Sequence, residues 1–259
     1  MKIFVVNLDR SIDRRLAIFT RLQELGLSAT RFSAVDGSKL SADEKGYNGL
    51  KRRLLFGKDL TDGEIGCARS HLQIYAMMER EGIELACILE DDAILDDDLP
   101  MVLEALETDM DGWDMVRFLA MPKDLNRARP IRDLGNGYRL CRIYGTPGGT
   151  YGYVINRRAA IRLVREGRSL WKPIDAIQGH IWSHRLRMRS IKPCPVAPDM
   201  ENQSTIGDLR FDNRLKISGW ERIAFFFTRP SYKIFNAVTK HGGRWLGIVS
   251  DKVTGREVS

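Results

Sequence analysis

The chain has 259 residues, a hydrophobic content of 43% and a net charge of +7. It is long enough to bury a full core and shows no repeat or low-complexity stretch, so a globular protein of one large or two small domains is expected. The longest apolar run near the C-terminal end, residues 223–227, is far below the about 20 residues needed to cross a bilayer. Polar residues at positions 7, 9 and 10 predict that no secretory signal is present, and four well-separated cysteines favour a reduced, cytosolic protein.

The positive charge is concentrated in the C-terminal part of the chain. From Asn213 onward there are nine basic and three acidic residues, which leaves a net charge of +1 for everything before it. Nucleic-acid-binding proteins usually carry their charge on the folded body or on a recognition helix, so this asymmetry argues against nucleic acid and for a basic appendage. We therefore predict one domain over residues 1–212 and a basic amphipathic extension over residues 213–259.

The first residues predict the start of a parallel sheet. Residues 3–6 form an apolar run typical of a buried strand, and Ser11 precedes apolar residues at helical spacing that end at Gly26. A second strand is predicted over residues 29–35, before the turn signal Asp36-Gly37. Strand, helix and strand in this order are typical of a parallel βαβ unit.

Residues 38–60 are polar, and two roles are possible for them. They bind or cover an acceptor at the active face, or they form a plain surface insertion.

Thr61 and Glu64 match the capping-box spacing at the start of a helix that continues to about Gly82. Several residues share one side of this helix by three- and four-residue spacing: Cys67, Ser70, His71, Ile74 and Met78.

The most informative segment is the apolar run 85–89, which ends in Glu90, Asp91 and Asp92. Adjacent carboxylates at the carboxyl end of a strand repel each other unless a cation neutralises them, and their oxygens suit Mn²⁺ or Mg²⁺ better than Zn²⁺. We interpret these acids as a metal site, with helix capping as the alternative. For the acids at 96–98 we prefer the capping interpretation, with Pro100 just inside the helix.

Further elements are predicted beyond the acidic segment: a helix over 101–107, strands over 114–119 and 139–144, and a helix over 159–164. The glycine-rich segment 145–153 lacks the Gly-Lys-Ser/Thr ending of a phosphate-binding loop and the dinucleotide fingerprint. It is predicted either to let the backbone approach a ligand or to form a structural turn.

Side chains that follow three of these strands are expected to meet, because parallel strands end at the same edge of a sheet. Together they suit a nucleoside diphosphate. Asn7 and the adjacent backbone at Leu8 would contact the base, Asp36 the base or the ribose hydroxyls, and the cation the phosphates. Three arginines near the first turn would add phosphate contacts: Arg10, Arg14 and Arg15. For Arg14 and Arg15 the alternative is that they are solvated helix residues.

Four motifs in this order resemble glycosyltransferase family 25, the lipopolysaccharide and lipooligosaccharide sugar transferases related to the collagen galactosyltransferases. They are Val-Asn-Leu-Asp-Arg-Ser at 6–11 with Arg-Arg at 14–15, Gly-Glu-Ile-Gly-Cys-Ala-Arg-Ser-His at 63–71, Ile-Leu-Glu-Asp-Asp at 88–92 and Gly-Thr-Tyr-Gly-Tyr-Val-Ile at 149–155. The resemblance covers residues 1–206. It implies an α/β fold of the GT-A-like, Rossmann type with a mostly parallel sheet flanked by helices, a UDP-sugar donor, commonly UDP-galactose, a divalent cation and inversion at the anomeric carbon.

The resemblance also implies roles for single residues. Asp92 would be the first metal ligand, with Glu90 and Asp91 beside it. Ser70 and His71 would lie near the ribose or the phosphates of the donor, and packing of the helix is the alternative for His71.

One residue departs from the family motifs, and one further segment resembles the family. Tyr75 stands where family members often have tryptophan after the Ser-His pair, which makes the donor preference less certain. Gln203 and Ser204 lie in a polar segment, 201–206, that resembles the family's closing segment and would fold over the donor phosphates; an ordinary exit loop is the alternative.

An inverting transfer needs a base that takes the proton of the acceptor hydroxyl. Asp175, in Trp-Lys-Pro-Ile-Asp, is the candidate, because proline and apolar neighbours indicate a held loop and family members carry Pro-x-Asp here; a helix cap is the alternative. His180 and His184 are four residues apart and would complete a metal site only if they shared a helix face, but no glutamate accompanies them as in zinc motifs.

The C-terminal segment 220–245 mixes cations with aromatic residues, which is typical of helices at an anionic bilayer surface. The alternative is a helix packed on its own domain.

The sequence and the family resemblance together predict an inverting, metal-dependent enzyme that transfers a hexose from a UDP-sugar, with galactose as the preferred candidate. The predicted acceptor is a lipopolysaccharide, a lipooligosaccharide or another surface glycan or glycolipid, at the cytoplasmic face of the membrane. A metal-dependent phosphohydrolase and a non-catalytic, basic membrane or nucleic-acid adaptor are the rival hypotheses.

Overall fold

The computed structural model describes residues 1–118, 128–143, 149–199 and 215–254. The strands within these ranges are β1 Lys2–Asn7, β2 Thr30–Ser33, β3 Leu85–Glu90, β4 Ala93–Leu95, β5 Met115–Arg117, β6 Arg129–Gly135, β7 Tyr138–Arg142, β8 Gly152–Asn156, β9 Met188–Lys192 and β10 Val196–Pro198. Eight of them form one sheet in the order β2-β1-β3-β8-β5-β9-β7-β6, and β4 pairs with β10 apart from it.

The helices of the same ranges are α1 Ile12–Glu24, a 3-10 helix at Gly37–Lys39, α2 Ala42–Lys45, α3 Gly49–Phe56, α4 Asp62–Glu81, α5 Leu99–Thr108, α6 Arg157–Gly167, α7 Ile174–Gly179, α8 Ile181–His184 and α9 Gly219–Thr254. The segment 38–60, for which no regular element was predicted, therefore contains α2 and α3.

The main sheet is mixed rather than mostly parallel. Strand β1 runs parallel to both β2 and β3, and β5 runs parallel to β9. Strand β8 lies antiparallel between β3 and β5, and the β6–β7 and β7–β9 pairs are also antiparallel. The predicted α/β class with flanking helices is confirmed. The predicted mostly parallel sheet differs from the observed sheet in its second half, where β8 and its neighbours run antiparallel. The glycine-rich segment at the start of β8 hid this strand in the sequence.

Helices cover both faces of the sheet. Alternate residues of β3 point to opposite faces, as the two-residue period of a strand requires. Ala86 and Ile88 pack in a core with residues of α4 and α6, and Cys87 and Leu89 pack in a second core with residues of α1 and α5. Because both faces are buried, β3 is a continuous apolar run and not an alternating one.

Helix α4 has the start and the end that the sequence predicts. The Thr61 hydroxyl accepts a hydrogen bond from the Glu64 amide at 3.2 Å, and the Glu64 carboxylate accepts one from the Thr61 amide at 2.8 Å. Gly82 ends the helix in the left-handed conformation, with φ of 68°. At α1, by contrast, Ser11 precedes the helix without a side-chain capping bond.

The acids at 96–98 lie at the start of α5, as the capping interpretation requires. Asp98 directly precedes the helix without a side-chain capping bond, and the Asp96 carboxylate accepts hydrogen bonds from the Asp98 amide and the Tyr138 hydroxyl, both at 3.0 Å. These acids are thus held by local structure.

Helix α9 packs with one side on α3. The Arg53 Nε atom lies 3.0 Å from both oxygens of Glu221, Arg229 donates a 2.6 Å hydrogen bond to the Leu55 carbonyl, and the Tyr232 ring contacts Phe56 at a centroid distance of 5.5 Å. These contacts of one side of the helix agree with the alternative interpretation, a helix packed on its own domain. The predicted domain boundary at residue 212 lies outside the described ranges and stays a prediction.

The other side of α9 is apolar and exposed. Seven of its large apolar residues have exposed fractions from 61% to 75%: Trp220, Ile223, Phe226, Phe227, Ile234, Phe235 and Val238. Within the described ranges, none of the helices combines enough length with enough apolar character to cross a membrane.

Candidate active site

Glu90 ends β3 on the face that α4 covers. Its Oε1 atom lies 3.5 Å from Nε2 of His71 and 3.9 Å from Sγ of Cys67, and these two residues are one turn apart on α4. Thr150 donates a hydrogen bond to the same carboxylate oxygen. Burial acts to raise the pKa of Glu90, but the neighbouring His71 and Thr150 side chains lower it overall, so Glu90 is ionised at neutral pH.

Asp91 faces β1 and α1 instead, and Asp92 lies near Arg14 of α1 as well as near enough to Glu90 for the two charges to interact. The side-chain amide of Asn7 donates a 2.7 Å hydrogen bond to Asp91, and the guanidinium of Arg14 lies 3.6 Å from Asp91 and 3.9 Å from Asp92. Burial, followed by the charges of Glu90 and Asp91, raises the pKa of Asp92 to about 7. Burial also raises the pKa of Asp91. One arginine therefore compensates only part of the repulsion among these carboxylates.

The Oδ1 atom of Asp92 is buried and makes no hydrogen bond to any part of the chain that the structure describes. An unsatisfied buried carboxylate oxygen needs an external partner, and a hard divalent cation is the partner that carboxylates take most readily. The side chains of Asp91 and Asp92 thus fit the predicted Mn²⁺ or Mg²⁺. The Glu90 carboxylate contacts residues of α4, and its ligation of the same ion stays a prediction.

Asn7, predicted to contact the donor, has an exposed fraction of only 1%. Besides its bond to Asp91, its amide donates to the Ser11 carbonyl at 2.9 Å, and its Oδ1 atom accepts from Arg31 at 3.0 Å. Its side chain therefore fixes the position of the acidic segment relative to β1. Leu8, next along the chain, is half-buried.

Arg10 and Asp36 are brought together, as the predicted meeting of strand ends requires. The two side chains form an ion pair, and Asp36 also accepts hydrogen bonds from the hydroxyl and the amide of Ser38. These bonds from Ser38, with the charge of Arg10, lower the pKa of Asp36 against a smaller opposing effect of burial. Arg15 lies half-buried on α1.

Ser70 is fully buried between α4 and the segment after β2. Its hydroxyl accepts a 2.8 Å hydrogen bond from the Val35 amide and donates one of 2.8 Å to the Gly66 carbonyl. A Cβ atom on Gly66 would overlap the Val35 carbonyl oxygen, and one on Gly37 would overlap the Asp62 carbonyl oxygen. Ser70 therefore holds the turn after β2 against α4, and its contact with a donor stays a prediction.

A chain of buried polar side chains leads away from His71. Its Nδ1 atom lies 2.6 Å from the Tyr153 hydroxyl, which lies 2.6 Å from the Tyr75 hydroxyl, and Gln178 donates to Tyr75 at 2.9 Å. Tyr75, which replaces the usual tryptophan, thus serves in a hydrogen-bonded chain and not as an exposed stacking ring. The chain connects α4 and β8 to α7.

Asp175 lies in the first turn of α7, two residues after the N-cap, which is proline. The alternative interpretation, a helix cap, is wrong because proline holds the N-cap position, and the Asp175 Oδ1 atom instead accepts a hydrogen bond from the Ala176 amide at 2.7 Å. Desolvation raises the pKa of the Cys67 thiol, and the charges of Glu90, Asp175 and Asp92 raise it further. Asp175 is therefore near enough to Cys67 for its charge to act there, as do the charges of Glu90 and Asp92.

The two histidines of the next segment do not join the acids. His180 Nδ1 lies 2.7 Å from the amine of Lys172, and His184 Nε2 bonds the Gln178 carbonyl at 2.8 Å. Gln203 and Ser204 lie outside the described residues.

Four residues of the site were not predicted from the sequence: Cys67, Arg117, Thr150 and Tyr153. Arg117 donates to the Gly149 carbonyl, and its charge contributes to the lowered pKa of Glu90. Gly149 has a φ of 78°, which explains a glycine before Thr150. The four-residue spacing of Cys67 and His71 was visible, but only the parity of β3 identifies Glu90 as the carboxylate that meets them.

Comparison with known proteins identifies the family. A sequence model described as glycosyltransferase family 25 (LPS biosynthesis protein) matches residues 1–178. Procollagen galactosyltransferase 1 of Danio rerio is 26% identical, over 85% of this chain and 41% of the relative, and a glycosyltransferase 25 family member of Anopheles gambiae is 30% identical, over 76% of this chain and 35% of the relative. The chain spans about two fifths of the length of these curated relatives.

Another relative carries a name that describes it as a probable inactive member of the family. A relative in Rattus norvegicus, 30% identical over 44% of this chain and 22% of its own length, is named probable inactive glycosyltransferase 25 family member 3. The match over residues 1–178 includes all four motifs, from Asn7 to Tyr153, together with Asp175. The chain therefore belongs to glycosyltransferase family 25.

Proposed function

We propose that this protein is an inverting, metal-dependent hexosyltransferase that uses a UDP-sugar, with UDP-galactose as the preferred candidate. The acceptor that it extends is a lipopolysaccharide, a lipooligosaccharide or another surface glycan. The observation that carries the proposal is the buried, unpartnered oxygen of Asp92, next to Asp91 and Arg14 at the end of β3. Family membership supports the reaction class, and the words "LPS biosynthesis" in the family description support the acceptor class.

In this proposal Asp92 and Asp91 hold Mn²⁺ or Mg²⁺, with Glu90 beside them. The bound cation supplies Lewis-acid stabilisation of the charge that develops on the departing diphosphate. Arg14 lies within 3.9 Å of both aspartates and adds positive charge next to the phosphates. A guanidinium suits this task because its fork matches phosphate oxygens.

The remaining donor contacts are assigned first to residues at the edge of the sheet where β1 and β2 end. Asp36, held by Arg10 and Ser38, accepts hydrogen bonds from ribose or base hydroxyl and amino groups. Further contacts are assigned to the backbone at Asn7 and Leu8, to Arg15, to Ser70 and His71 next to ribose or phosphate, and to Gln203 and Ser204 over the diphosphate.

Asp175 is proposed as the general base. Inversion requires a carboxylate on the acceptor side that takes the hydroxyl proton as the oxygen attacks the anomeric carbon. Asp175 is half-buried on the first turn of a short helix, and only one of its oxygens is engaged with the backbone in the bond to Ala176. Its other oxygen is the one that would receive the proton.

Helix α9 is proposed to hold the enzyme at an anionic membrane that carries the acceptor, which would place it at the cytoplasmic face. The argument is the exposed apolar side of α9 together with cations beside it, since Arg222 and Lys233 are exposed on the same helix. Aromatic rings at headgroup depth and basic side chains near anionic lipid are the two contributions that bind such helices.

The decisive experiment is an assay of donor hydrolysis and transfer with each UDP-hexose, with and without Mn²⁺. Asp92→Asn should lower the metal-dependent rate by about 100-fold or more, because loss of several kcal/mol of charge stabilisation has this effect. Asp97→Asn is the matched control, since the Asp97 side chain is 87% exposed and belongs to the next acidic run. Full activity of Asp92→Asn, or hydrolysis of simple phosphomonoesters without sugar transfer, would contradict the proposal.

A further inference from the structure

A second group of metal-binding side chains lies on the α4 side of β3. Within the described part of the chain, Cys67, His71 and Glu90 form a group of three ligands whose donor atoms all lie within 4.8 Å of one another. The first two are one helical turn apart, so that both point to the same place, as in the paired ligands of helical zinc motifs. A thiol, an imidazole and a carboxylate form a donor set that is softer than the oxygens of Asp91 and Asp92.

The spacing of these atoms is close to that of a tetrahedral zinc site. Zn–N and Zn–O bonds of about 2.1 Å and a Zn–S bond of about 2.3 Å place the N and O ligands about 3.4 Å apart and the S and O ligands about 3.6 Å apart. The corresponding distances here are 3.5 Å from His71 Nε2 to Glu90 Oε1 and 3.9 Å from Cys67 Sγ to the same oxygen. These two distances exceed the tetrahedral values by a few tenths of an ångström at most, and the third pair, Cys67 with His71, lies within 4.8 Å.

The state of His71 points independently to a missing partner. Its ring is fully buried, and its Nε2 atom makes no hydrogen bond to any described residue. The other ring nitrogen, Nδ1, is only 2.6 Å from the Tyr153 hydroxyl. Metal-bound histidines almost always use their second nitrogen in this way, because a donated N–H fixes the tautomer and leaves the first nitrogen free for the metal.

The hydrogen-bonded chain beyond His71 fits the same tautomer. When Nδ1 donates to Tyr153, Tyr153 can donate to Tyr75, and Tyr75 then needs an acceptor. The buried Oε1 atom of Gln178 lacks a hydrogen bond within the described residues, and a flip of this amide would supply the acceptor. The hydroxyls of Tyr153 and Tyr75 then each donate and accept one hydrogen bond, and Nε2 of His71 faces the cation.

We infer that Cys67, His71 and Glu90 form a binding site for a zinc-type transition-metal ion, distinct from the Mn²⁺ or Mg²⁺ site proposed at Asp92. Binding releases the thiol proton to solvent and places the thiolate, the neutral imidazole and the carboxylate on the ion. Thr150 keeps its hydrogen bond to the ligated carboxylate. The ion joins α4 to the end of β3 and thereby fixes the strand end that carries Asp91 and Asp92.

The test is binding of Zn²⁺ and Co²⁺ to the full chain after removal of metals by a chelator. We expect one Zn²⁺ per chain and, with Co²⁺, the near-ultraviolet charge-transfer band that a cobalt–thiolate bond produces. Cys67→Ser should abolish the band, whereas Cys87→Ser, which removes a buried thiol on the other face of β3, should retain it. Tyr153→Phe should lower Co²⁺ affinity by about 10- to 100-fold through loss of the partner of Nδ1.

A second measurement needs no variant. Zn²⁺ should protect Cys67 of the wild-type protein from thiol alkylation under native conditions, as read by mass spectrometry of its peptide. Absence of both the cobalt band and this protection, or a band that persists in Cys67→Ser, would overturn the inference. Stabilisation by UDP with Mn²⁺ is measured in parallel, because it tests the proposed glycosyltransferase function and is independent of the zinc result.

Discussion

Replacement of Asp92 by asparagine should stabilise the metal-free protein at alkaline pH while it removes the proposed activity. Burial and the neighbouring carboxylates raise the pKa of Asp92 from 3.8 to about 7. The folded protein therefore holds this proton more tightly than the unfolded chain does, and the resulting stability is present below about pH 4 and is lost as the pH rises towards 7. An amide at this position does not ionise and escapes this loss.

The size of the effect follows from the shift in pKa. A shift from 3.8 to about 7 corresponds to about 4 kcal/mol above pH 7, at 1.36 kcal/mol for each unit, and this is an upper limit. At pH 5 the same shift is worth about 2 kcal/mol, so the advantage of Asp92→Asn over the wild type should grow by up to about 2 kcal/mol between pH 5 and pH 8.

The assay is urea denaturation at both pH values in the presence of a chelator. Groups with lowered pKa, such as Glu90 and Asp36, have the opposite pH dependence, so the difference between variant and wild type is the quantity to compare. Asp97→Asn, which removes an exposed carboxylate, is measured as the matched variant. An advantage of Asp92→Asn that is the same at pH 5 and pH 8 would refute the electrostatic argument, and Mn²⁺ should selectively stabilise the wild type.

Three further outcomes can be measured. Gly66→Ala should lower the free energy of unfolding by about 1–3 kcal/mol in urea, since its Cβ would overlap the Val35 carbonyl, and an unchanged midpoint would contradict the close packing. Thr61→Ala should cost about 1 kcal/mol in the same assay through loss of the cap of α4, and Thr61→Ser should restore it. Phe226→Ser with Phe227→Ser should weaken co-sedimentation with anionic vesicles about tenfold or more, because each buried phenylalanine contributes about 1.5–3 kcal/mol. Equal binding of the wild type to neutral vesicles, or formation of dimers through α9 in place of lipid binding, would contradict the membrane proposal.

The first half of the fold could be predicted because its signals are local. The strand at β1, the helix α1 and the capping box of α4 each depend on residues within a few positions of one another, such as Thr61 with Glu64. The strands from β4 onward that were missed are short or lie next to glycine. Gly152 begins β8, and a side chain there would collide with Leu89 and Phe118, so this glycine is required by packing across the sheet.

The acidic segment was located correctly, but the division of its side chains was not predicted. Only Glu90 belongs to β3, where it faces α4, whereas Asp91 in the following turn bonds to Asn7. The sequence places Cys67 only on the side of α4 that also carries His71. Only the contact between α4 and β3 reveals it as a partner of Glu90, since the two are 23 positions apart in the chain.

The backbone contact between Gly37 and the start of α4 has a consequence for how the specificity of the protein can change. Main-chain atoms of Gly37 and Asp62 meet without intervening side chains, and Ser38 adds two hydrogen bonds to Asp36. The exposed residues of 39–60 do not take part in these contacts, so a change in their composition or charge should leave Asp36 in place. Under the proposed function, that part of the chain is where a change of acceptor would disturb the donor contacts least.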